Sequence, residues 1–231
     1  MRLTPARRRG VEILDDPDTP ADVRQRSMSD VVRANTLFGG TRSALRALRD
    51  VWPRLPRDAV LLDVGTGLAD IPARARRDAG RAGISLSAVG VDASESTLRL
   101  AVPLLSSAVV GDATRLPVRD HAADVVICSQ LLHHFTENDA RRVIAELHRV
   151  SRGWVVISDL RRSRLAAAGF WIASIILRFH PVTRHDGVVS VFRGLTVAEL
   201  RSLIREATGV EPAVRRGIFW RLSATWPARA R

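Results

Sequence analysis

The sequence predicts a doubly wound α/β fold: a mostly parallel, seven-stranded sheet with an antiparallel C-terminal hairpin, preceded by N-terminal helices. Three observations favour it. From residue 59 onwards, apolar strand-like runs alternate with helical periods. The runs are continuously apolar, as in AVLLDVG (59–65), which is typical of strands buried on both faces of a parallel sheet. Two adjacent β-like runs, VEPAVRRGI and FWRLSATW, close the chain and predict the hairpin.

Five apolar runs are the predicted parallel strands, and they lie at 59–65, 84–92, 107–113, 122–130 and 153–160. Helical patterns fill the intervals between them. In NDARRVIAELHRVS, apolar residues recur at a helical period, which predicts that Val143, Ile144, Leu147 and Val150 face the core.

Residues 1–58 are polar and helical in pattern, without a strand-like run. We predict that they form a cap or lid segment, and that residues 59–231 form the α/β domain. Gly39-Gly40 is expected to end a helix that covers SMSDVVRANTLF (27–38), and Pro53 and Pro56 to end the next helix.

Two segments after the fifth strand complete the predicted architecture. LAAAGFWIASIIL (165–177) is the longest apolar run, is shorter than the roughly 18 residues that cross a membrane, and predicts a buried helix. FHPVTRHDGVVSVFRG, which follows, predicts a polar loop that is either solvated or closes over a bound molecule.

Composition indicates an ordinary globular protein. The net charge of +12 is weak support for nucleic-acid binding, because all 36 basic residues are arginines spread along the chain, as expected from a G+C-rich genome. A single cysteine, Cys128, excludes a disulfide framework and a multi-cysteine zinc site, and we predict no metal. The first residues lack a signal-peptide core, so a cytoplasmic location is expected.

Acidic residues follow successive predicted strands. Asp63 lies at the end of the first, just before the glycine turn Gly65-Thr66-Gly67, Asp92 ends the second, and Asp112 follows the third. In such sheets a ligand binds across these strand ends. Carboxylates would repel a pyrophosphate but suit a cationic ligand such as a sulfonium that carries an amino acid. Asp92 can accept from both ribose hydroxyls, and Asp112 and the Ala113 N–H can bind adenine.

The motifs LDVGTGLADIP, VGVDAS, GDATRLPV and ADVVICSQLLHHF, followed by ELHRVSRGWVVISD, resemble those of class I S-adenosylmethionine-dependent methyltransferases over about residues 60–160. The greatest likeness is to small-molecule enzymes of the ubiquinone and menaquinone C-methyltransferase type, whose glycine loop is also followed by an acid like Asp70. Ala69 departs from the family, since it stands where a glycine is usual, and could narrow the turn.

The resemblance implies a Rossmann-like fold and S-adenosyl-L-methionine as the cofactor. The glycines would lie against its methionine part, Asp63 near its ammonium, Asp92 at the ribose, and Ser129 near the transferred methyl. The full set of expected cofactor-binding residues is Asp63, Gly65, Thr66, Gly67, Asp70, Asp92, Ala93, Asp112, Ala113, Ser129 and Gln130.

Methyl transfer from a sulfonium needs a base only if the acceptor must lose a proton. Three histidines are the candidates. His133 and His134 follow the fourth strand, near the expected methyl, and His185 lies with Asp186 in the predicted loop. Positioning alone, without any base, remains the alternative.

The apolar segment 165–179 favours a small apolar acceptor such as a phenol, quinol or polyketide. It also allows peripheral membrane contact for a lipidic substrate, with Arg161, Arg162, Arg164 and Arg178 near headgroups. Alternatives are an RNA methyltransferase, a catalytically weak S-adenosylmethionine-binding module, and an NAD-dependent oxidoreductase. Nucleic acid is disfavoured because no cluster interleaves aromatics with base-binding polar residues. Either a monomer or a homodimer fits.

Overall fold

One twisted sheet of seven strands, in the order β3-β2-β1-β4-β5-β7-β6, organises the chain, with helices on both faces. The computed structural model describes residues 4–8, 10–16 and 18–228. The strands are β1 Asp58–Val64, β2 Ser85–Asp92, β3 Ser107–Val110, β4 Ala123–Ser129, β5 Ser151–Leu160, β6 Ala213–Gly217 and β7 Arg221–Pro227. The α-helices are α1 Ala21–Leu37, α2 Gly40–Arg49, α3 Asp70–Arg81, α4 Glu95–Ala101, α5 Glu137–Val150, α6 Arg164–Ile176, α7 Pro181–Arg193 and α8 Val197–Thr208.

Strand pairing confirms the predicted fold class. Strand β1 pairs in parallel with β2 and β4, β2 with β3, and β4 with β5. Strand β7 is antiparallel to both β5 and β6, which is the predicted hairpin. The strand order reverses beside β1, so the carboxyl ends of β1, β2 and β4 border one crevice.

The sheet separates two apolar cores. On one face, α5 packs against β4 and β5, and α8 packs against α5, β6 and β7. Val143, Ile144, Leu147 and Val150 are fully buried there, as their spacing predicts. On the other face, α2 and α3 pack through small residues, mainly alanines. Helix α2 therefore shares the core of the sheet, while the division at residue 58 stays a prediction.

An N-terminal strap, residues 4–8 and 10–16, runs across α7. The Arg8 N–H donates to the Phe192 carbonyl at 3.2 Å, and the Arg7 guanidinium donates to the Arg193 carbonyl at 2.7 Å. Both carboxylate oxygens of Asp186 accept backbone N–H groups of the strap, from Ile13 and Leu14, at 2.9 Å. These bonds fix the strap over the carboxyl edge of the sheet.

The predicted loop at residues 179–194 is wrong, because residues 181–193 form helix α7. Pro181 occupies the first turn, where its missing N–H costs nothing, and His180 caps the helix by accepting the Val182 N–H. Close approach to α6 also supports the helix. A Cβ on Gly187 would lie 2.1 Å from the Phe170 ring, so only glycine fits against it.

The expectation that residues 165–177 form a buried helix is also wrong in part. Helix α6 buries only Ala167 and Ser174, and its opposite face leaves five large apolar side chains exposed. Its single layer of contacts, mainly with α7, cannot cover an apolar helix on all sides. Within the described ranges, no helix combines the length and hydropathy needed to cross a bilayer.

We expect Gly187→Ala to lower the free energy of unfolding by about 1–3 kcal/mol, because the added methyl group must displace Phe170, which Phe38 and Phe179 hold in place. Urea unfolding would measure the change. Gly80→Ala in α3 is the matched control, since nothing lies within 4 Å of its Cβ position. The control should be neutral or stabilising. Equal effects of the two substitutions would contradict the close packing of α6 on α7.

Candidate active site

A cavity of 740 Å³ opens at the carboxyl ends of the parallel strands. The glycine turn, Asp92 and the segment after β4 form its floor. The strap, α1, α6, α7 and the β6–β7 turn form its walls and roof. Most of its lining is apolar. The charged residues that line it are Glu12, Asp15, Arg24, Asp92, Arg161, Asp186 and Arg221.

Backbone geometry explains the glycine turn. Gly65 and Gly67 have φ of +74° and +54°, and the N–H groups of Gly65 and Thr66 donate to the Val91 carbonyl of β2 at 2.8 and 3.1 Å. A Cβ on Gly65 would lie 2.7 Å from the Leu131 side chain. Both glycines line the cavity, so the turn brings bare backbone up to whatever binds there.

Ala69, the departure from the family pattern, has a left-handed backbone with φ of +57° and immediately precedes α3. This conformation is one that glycine adopts without strain, which explains the family preference at this position. The Ala69 methyl is fully buried near Leu98 and Ala101, away from the cavity lining. It therefore does not narrow the turn toward the cavity.

Asp63 is a buried acid beneath the glycine turn. One carboxylate oxygen accepts the Thr66 hydroxyl at 2.9 Å, and the other, Oδ1, has no hydrogen-bond partner among the described residues. Burial raises the pKa of Asp63 to about 7, against the hydrogen bond from Thr66, and the charges of Asp70 and Asp92 raise it further. An unpartnered buried carboxylate oxygen is a position where a cationic ligand would be stabilised.

Asp92 ends β2 and lines the cavity. Its two oxygens accept the N–H groups of Gly67 and Ser94, each at 2.9 Å, so that it ties the glycine turn to the next strand. A carboxylate has about four acceptor positions, which leaves capacity for two ligand hydroxyls. Ala93 follows it in the same turn.

The other predicted cofactor residues lie around this pair. Asp112 accepts the Thr114 N–H at 2.7 Å in the turn after β3, beside the buried Ala113. Asp70 begins α3, faces the Thr41 hydroxyl at 3.5 Å, and has a pKa raised by burial. None of these three residues lines the cavity itself.

Ser129 and Gln130 follow β4. The Ser129 hydroxyl is buried without a hydrogen-bond partner within the described part of the chain. Gln130 lines the cavity with φ of +57°, and its side-chain oxygen accepts from Arg221 at 2.5 Å. Arg221 also donates to the Phe38 carbonyl, and burial lowers its pKa to about 10, against the raising effect of the Asp159 charge. It links β4, β7 and the end of α1.

His133 and Asp159 form a buried pair at the cavity. Nδ1 of His133 lies 2.6 Å from Asp159 Oδ1, and the His133 N–H donates to Oδ2 at 3.1 Å. Burial would raise the pKa of Asp159, but the neighbouring His133 outweighs it and lowers that pKa, so the carboxylate is ionised. We therefore assign the proton to Nδ1, which leaves Nε2 as an acceptor with no partner among the described residues.

His134 belongs to a separate charged cluster with strap residues and α7. Its Nδ1 lies 3.3 Å from Asp15 and 3.2 Å from the Arg193 guanidinium, which also contacts Glu12 at 2.9 Å. Burial disfavours the charged imidazole, but the hydrogen bond to Asp15 and the charges of Glu12 and Asp15 raise the pKa of His134. This cluster holds the strap on the cavity.

Glu12, His133 and His134 have ligand atoms within 4.8 Å of one another, a spacing that invites comparison with a metal site. The Arg193 guanidinium already contacts Glu12 and His134, and it also donates to Asp15 at 3.1 Å. A protein cation therefore supplies the positive charge in this cluster.

The third candidate histidine is not brought to this cavity. His185 is half exposed, with Nδ1 2.8 Å from Asp186, and it borders a second, 540 Å³ groove between α6, α7 and the strap. Asp186 itself is buried and lines the main cavity. The two side chains are therefore in contact, but His185 borders the second groove while Asp186 lines the main cavity.

The sequence assigned no role to Asp159, which lies near the end of the fifth predicted strand, and none to Glu12, Asp15 or Arg193. Asp159 lies near the end of β5, and His133 follows β4, the neighbouring strand. The adjacency of these two strand ends was the available signal for the pairing. The strap residues gave no such signal, because nothing in the sequence indicates that residues 10–15 fold back over α7.

Residues 62–157 match the family described as "Methyltransferase domain". No curated protein is significantly similar to the chain in sequence. The matched region runs from the end of β1 through the glycine turn to most of β5, and it ends two residues before Asp159.

Solved structures with the same fold include a methyltransferase from Haloferax volcanii, determined with the Trm112 activator, at 16% identity and a TM-score of 0.63 over 92% of this chain and 99% of that one. A SAM-dependent methyltransferase from Thermotoga maritima has 17% identity and a TM-score of 0.61, over 90% and 99%. Magnesium protoporphyrin IX methyltransferase from Synechocystis, with bound SAM, has 15% identity and a TM-score of 0.53, over 92% and 88%. At these identities the likeness establishes the fold.

We expect Arg193→Met to release the strap, because the buried Glu12 carboxylate would lose its charged partner. Hydrogen exchange at the N–H groups of Ile13 and Leu14 should become at least about tenfold faster. Arg99→Met, which removes an exposed ion pair with Glu95 on α4, is the control and should leave these rates unchanged. Unaltered exchange in the Arg193 variant would mean that Asp186 alone holds the strap.

Proposed function

We propose that this chain, which belongs to the class I S-adenosylmethionine-dependent methyltransferases, moves the methyl group to an oxygen or carbon of a small, largely apolar molecule of the phenol, quinol or polyketide type. The observation that carries the proposal is the His133–Asp159 pair beside an apolar cavity that the glycine turn also borders.

The residues fit the cofactor on two observations. The unpartnered, buried Asp63 Oδ1 suits the ammonium of the methionine part, directly or through water, and the bare backbone of Gly65 and Gly67 leaves room beside it. Asp92 would accept the ribose hydroxyls, and Asp112 and Ala113 would lie toward the adenine. When bound, S-adenosylmethionine supplies a methyl group on a sulfonium that is already a good leaving group.

The walls of the cavity favour an apolar acceptor. Leu131, Phe38, Phe170 and Leu165 line it, and the Phe38 and Phe170 rings meet edge to face with their centroids 5.7 Å apart. Such walls exclude water and hold a flat molecule by burial of its apolar surface. Alignment of this kind contributes much of the rate of an in-line methyl transfer.

His133 is the general base in this proposal. The Nδ1–H group donates a hydrogen bond to Asp159, which leaves the Nε2 lone pair to take the proton of an acceptor hydroxyl or activated carbon. The ionised Asp159 then stabilises the imidazolium that forms. His134 is engaged by Asp15, Glu12 and Arg193, and its proposed role is to hold the strap over the acceptor.

Three buried arginines at or near the cavity give no support to RNA as the acceptor. The buried arginines at and near the cavity, Arg162, Arg193 and Arg221, are all engaged by protein carboxylates or carbonyls. They are therefore not free to bind phosphates. The hydrogen bond that orients His133 also favours a catalytic protein over a cofactor-binding module without turnover.

Transfer of labelled methyl from S-adenosylmethionine to phenols, quinols and RNA in parallel tests the proposal. Label in the organic-extractable fraction is expected. Label found only in acid-precipitated RNA would overturn the small-molecule assignment. If the cofactor binds but none of the acceptors is methylated, the binding module would be favoured.

With an acceptor in hand, His133→Gln and Asp159→Asn should each lower kcat by about 10²–10⁴-fold, because both remove the oriented base. Cofactor affinity, measured by calorimetry, should change little. His185→Gln is the matched control and should keep its activity, since His185 borders the other groove. Loss of activity in the control, with retention in the His133 variant, would reverse the assignment.

Cofactor affinity should depend on pH through Asp63. Burial raises its pKa to about 7, so the carboxyl is neutral in more acidic solution and ionised in more basic solution. A cationic ammonium binds the ionised form, and affinity should rise about tenfold between about pH 5.5 and 7.5. Asp63→Asn should bind more weakly at the higher pH and flatten this profile. A pH-independent affinity in the parent protein would contradict the contact.

A further inference from the structure

We propose that the outer face of α6, together with the tip of the β6–β7 hairpin, docks onto an anionic lipid surface, from which an apolar acceptor enters the cavity. The inference rests on the proposed function for the nature of that acceptor, but its test does not depend on methyl transfer.

The exposed apolar side chains of this face form one surface, here called the α6 surface. Its members are Leu165, Trp171, Ile172, Ile175 and Ile176, which are 42–74% exposed. They recur at helical spacing along a helix about 20 Å long, so they form a continuous stripe on one side. A contiguous apolar stripe that is exposed to solvent in this way marks an interaction site.

Charge surrounding the α6 surface is of one sign. Residues 160–185 contain five arginines and no acid. Arg162 is buried against Glu199, which corrects the expectation that it lies near headgroups. The other four, Arg161, Arg164, Arg178 and Arg184, form no ion pair with the described residues. An apolar stripe flanked by arginines, with a tryptophan among its members, is the pattern of a helix that lies in an anionic membrane interface.

The α6 surface lies beside the opening of the cavity. The inner side of α6 contributes Gly169 and Phe170 to the cavity wall, and Leu165 of the α6 surface lies at the border of the same cavity. Phe219, at the hairpin tip, lines the same cavity and is 55% exposed, and its neighbour Ile218 is 51% exposed. The mouth of the cavity is therefore bordered by the two apolar elements that would lie in the lipid.

A second copy of the chain fits this surface poorly. A symmetric contact would place the α6 surface against itself and would bring Arg164 and Arg178 of both copies together without acidic partners. Like charges in a desolvated contact are strongly unfavourable. Anionic headgroups provide the opposite charge that these arginines lack.

Vesicle co-sedimentation tests the proposal. The full chain should bind vesicles of equal phosphatidylcholine and phosphatidylglycerol, and it should bind pure phosphatidylcholine vesicles at least about tenfold more weakly. Ile172→Glu/Ile176→Glu should lower binding to the mixed vesicles about tenfold or more. Arg178→Glu should lower it by a smaller factor and reduce its sensitivity to salt.

Leu104→Glu is the matched control, because Leu104 is 42% exposed near β3, at the opposite edge of the sheet, and its substitution should not change vesicle binding. Calorimetric cofactor affinity and the thermal midpoint verify that each variant is folded. Equal binding of the parent and the double variant, no binding to either vesicle, or a dimer that the double variant dissociates would each overturn the proposal. Failure of the labelled-methyl assay alone would count against the proposed acceptor, and not against this surface.

Discussion

The buried carboxylate of Asp159 is the group on which the arrangement of the cavity most depends. It lies at the end of β5, next to β4, and accepts the His133 ring together with the N–H groups of His133 and Leu160. One buried acid thus fixes the turn after β4 and the start of the segment that leads into α6. An unpaired carboxylate at this depth would be costly, so these contacts stabilise the fold as well as orient the ring.

Arginine performs a second structural task in this lysine-free chain. Arg193 gathers Gly10, Glu12 and Asp15 onto α7, and Arg162 binds the Pro5 carbonyl and Glu199. The planar guanidinium can satisfy several carbonyls and carboxylates at once, which an ammonium cannot do with the same geometry. Arg162, Arg193 and Arg221 are therefore used inside the protein, and net charge alone is a poor guide to its partners.

The features that the sequence predicted are those that depend on local interactions. Apolar runs identified β1 to β5, and the turn chemistry of Gly65 and Gly67 identified the ligand edge, because these features depend on neighbours in the chain. Helix α7 was missed because the polar residues of its first two turns resemble a loop, while the contacts that stabilise it, Phe170 on Gly187 and the strap on Asp186, come from distant segments. The pairing of His133 with Asp159, separated by 26 positions, likewise appears only when β4 and β5 are aligned.

The apolar residues of α6 are covered differently on the two sides of the helix. A helix with no charged residue after Arg164 must bury its apolar area or leave it in water, and α7 covers only one side. The inner side gains a use as cavity wall, where apolar area selects an apolar acceptor. The outer side has no such cover within the described chain, and the arginines beside it disfavour a copy of the protein. A headgroup layer would cover the apolar stripe and neutralise those arginines in one contact, so the composition of this helix and the chemistry of its acceptor have a common explanation.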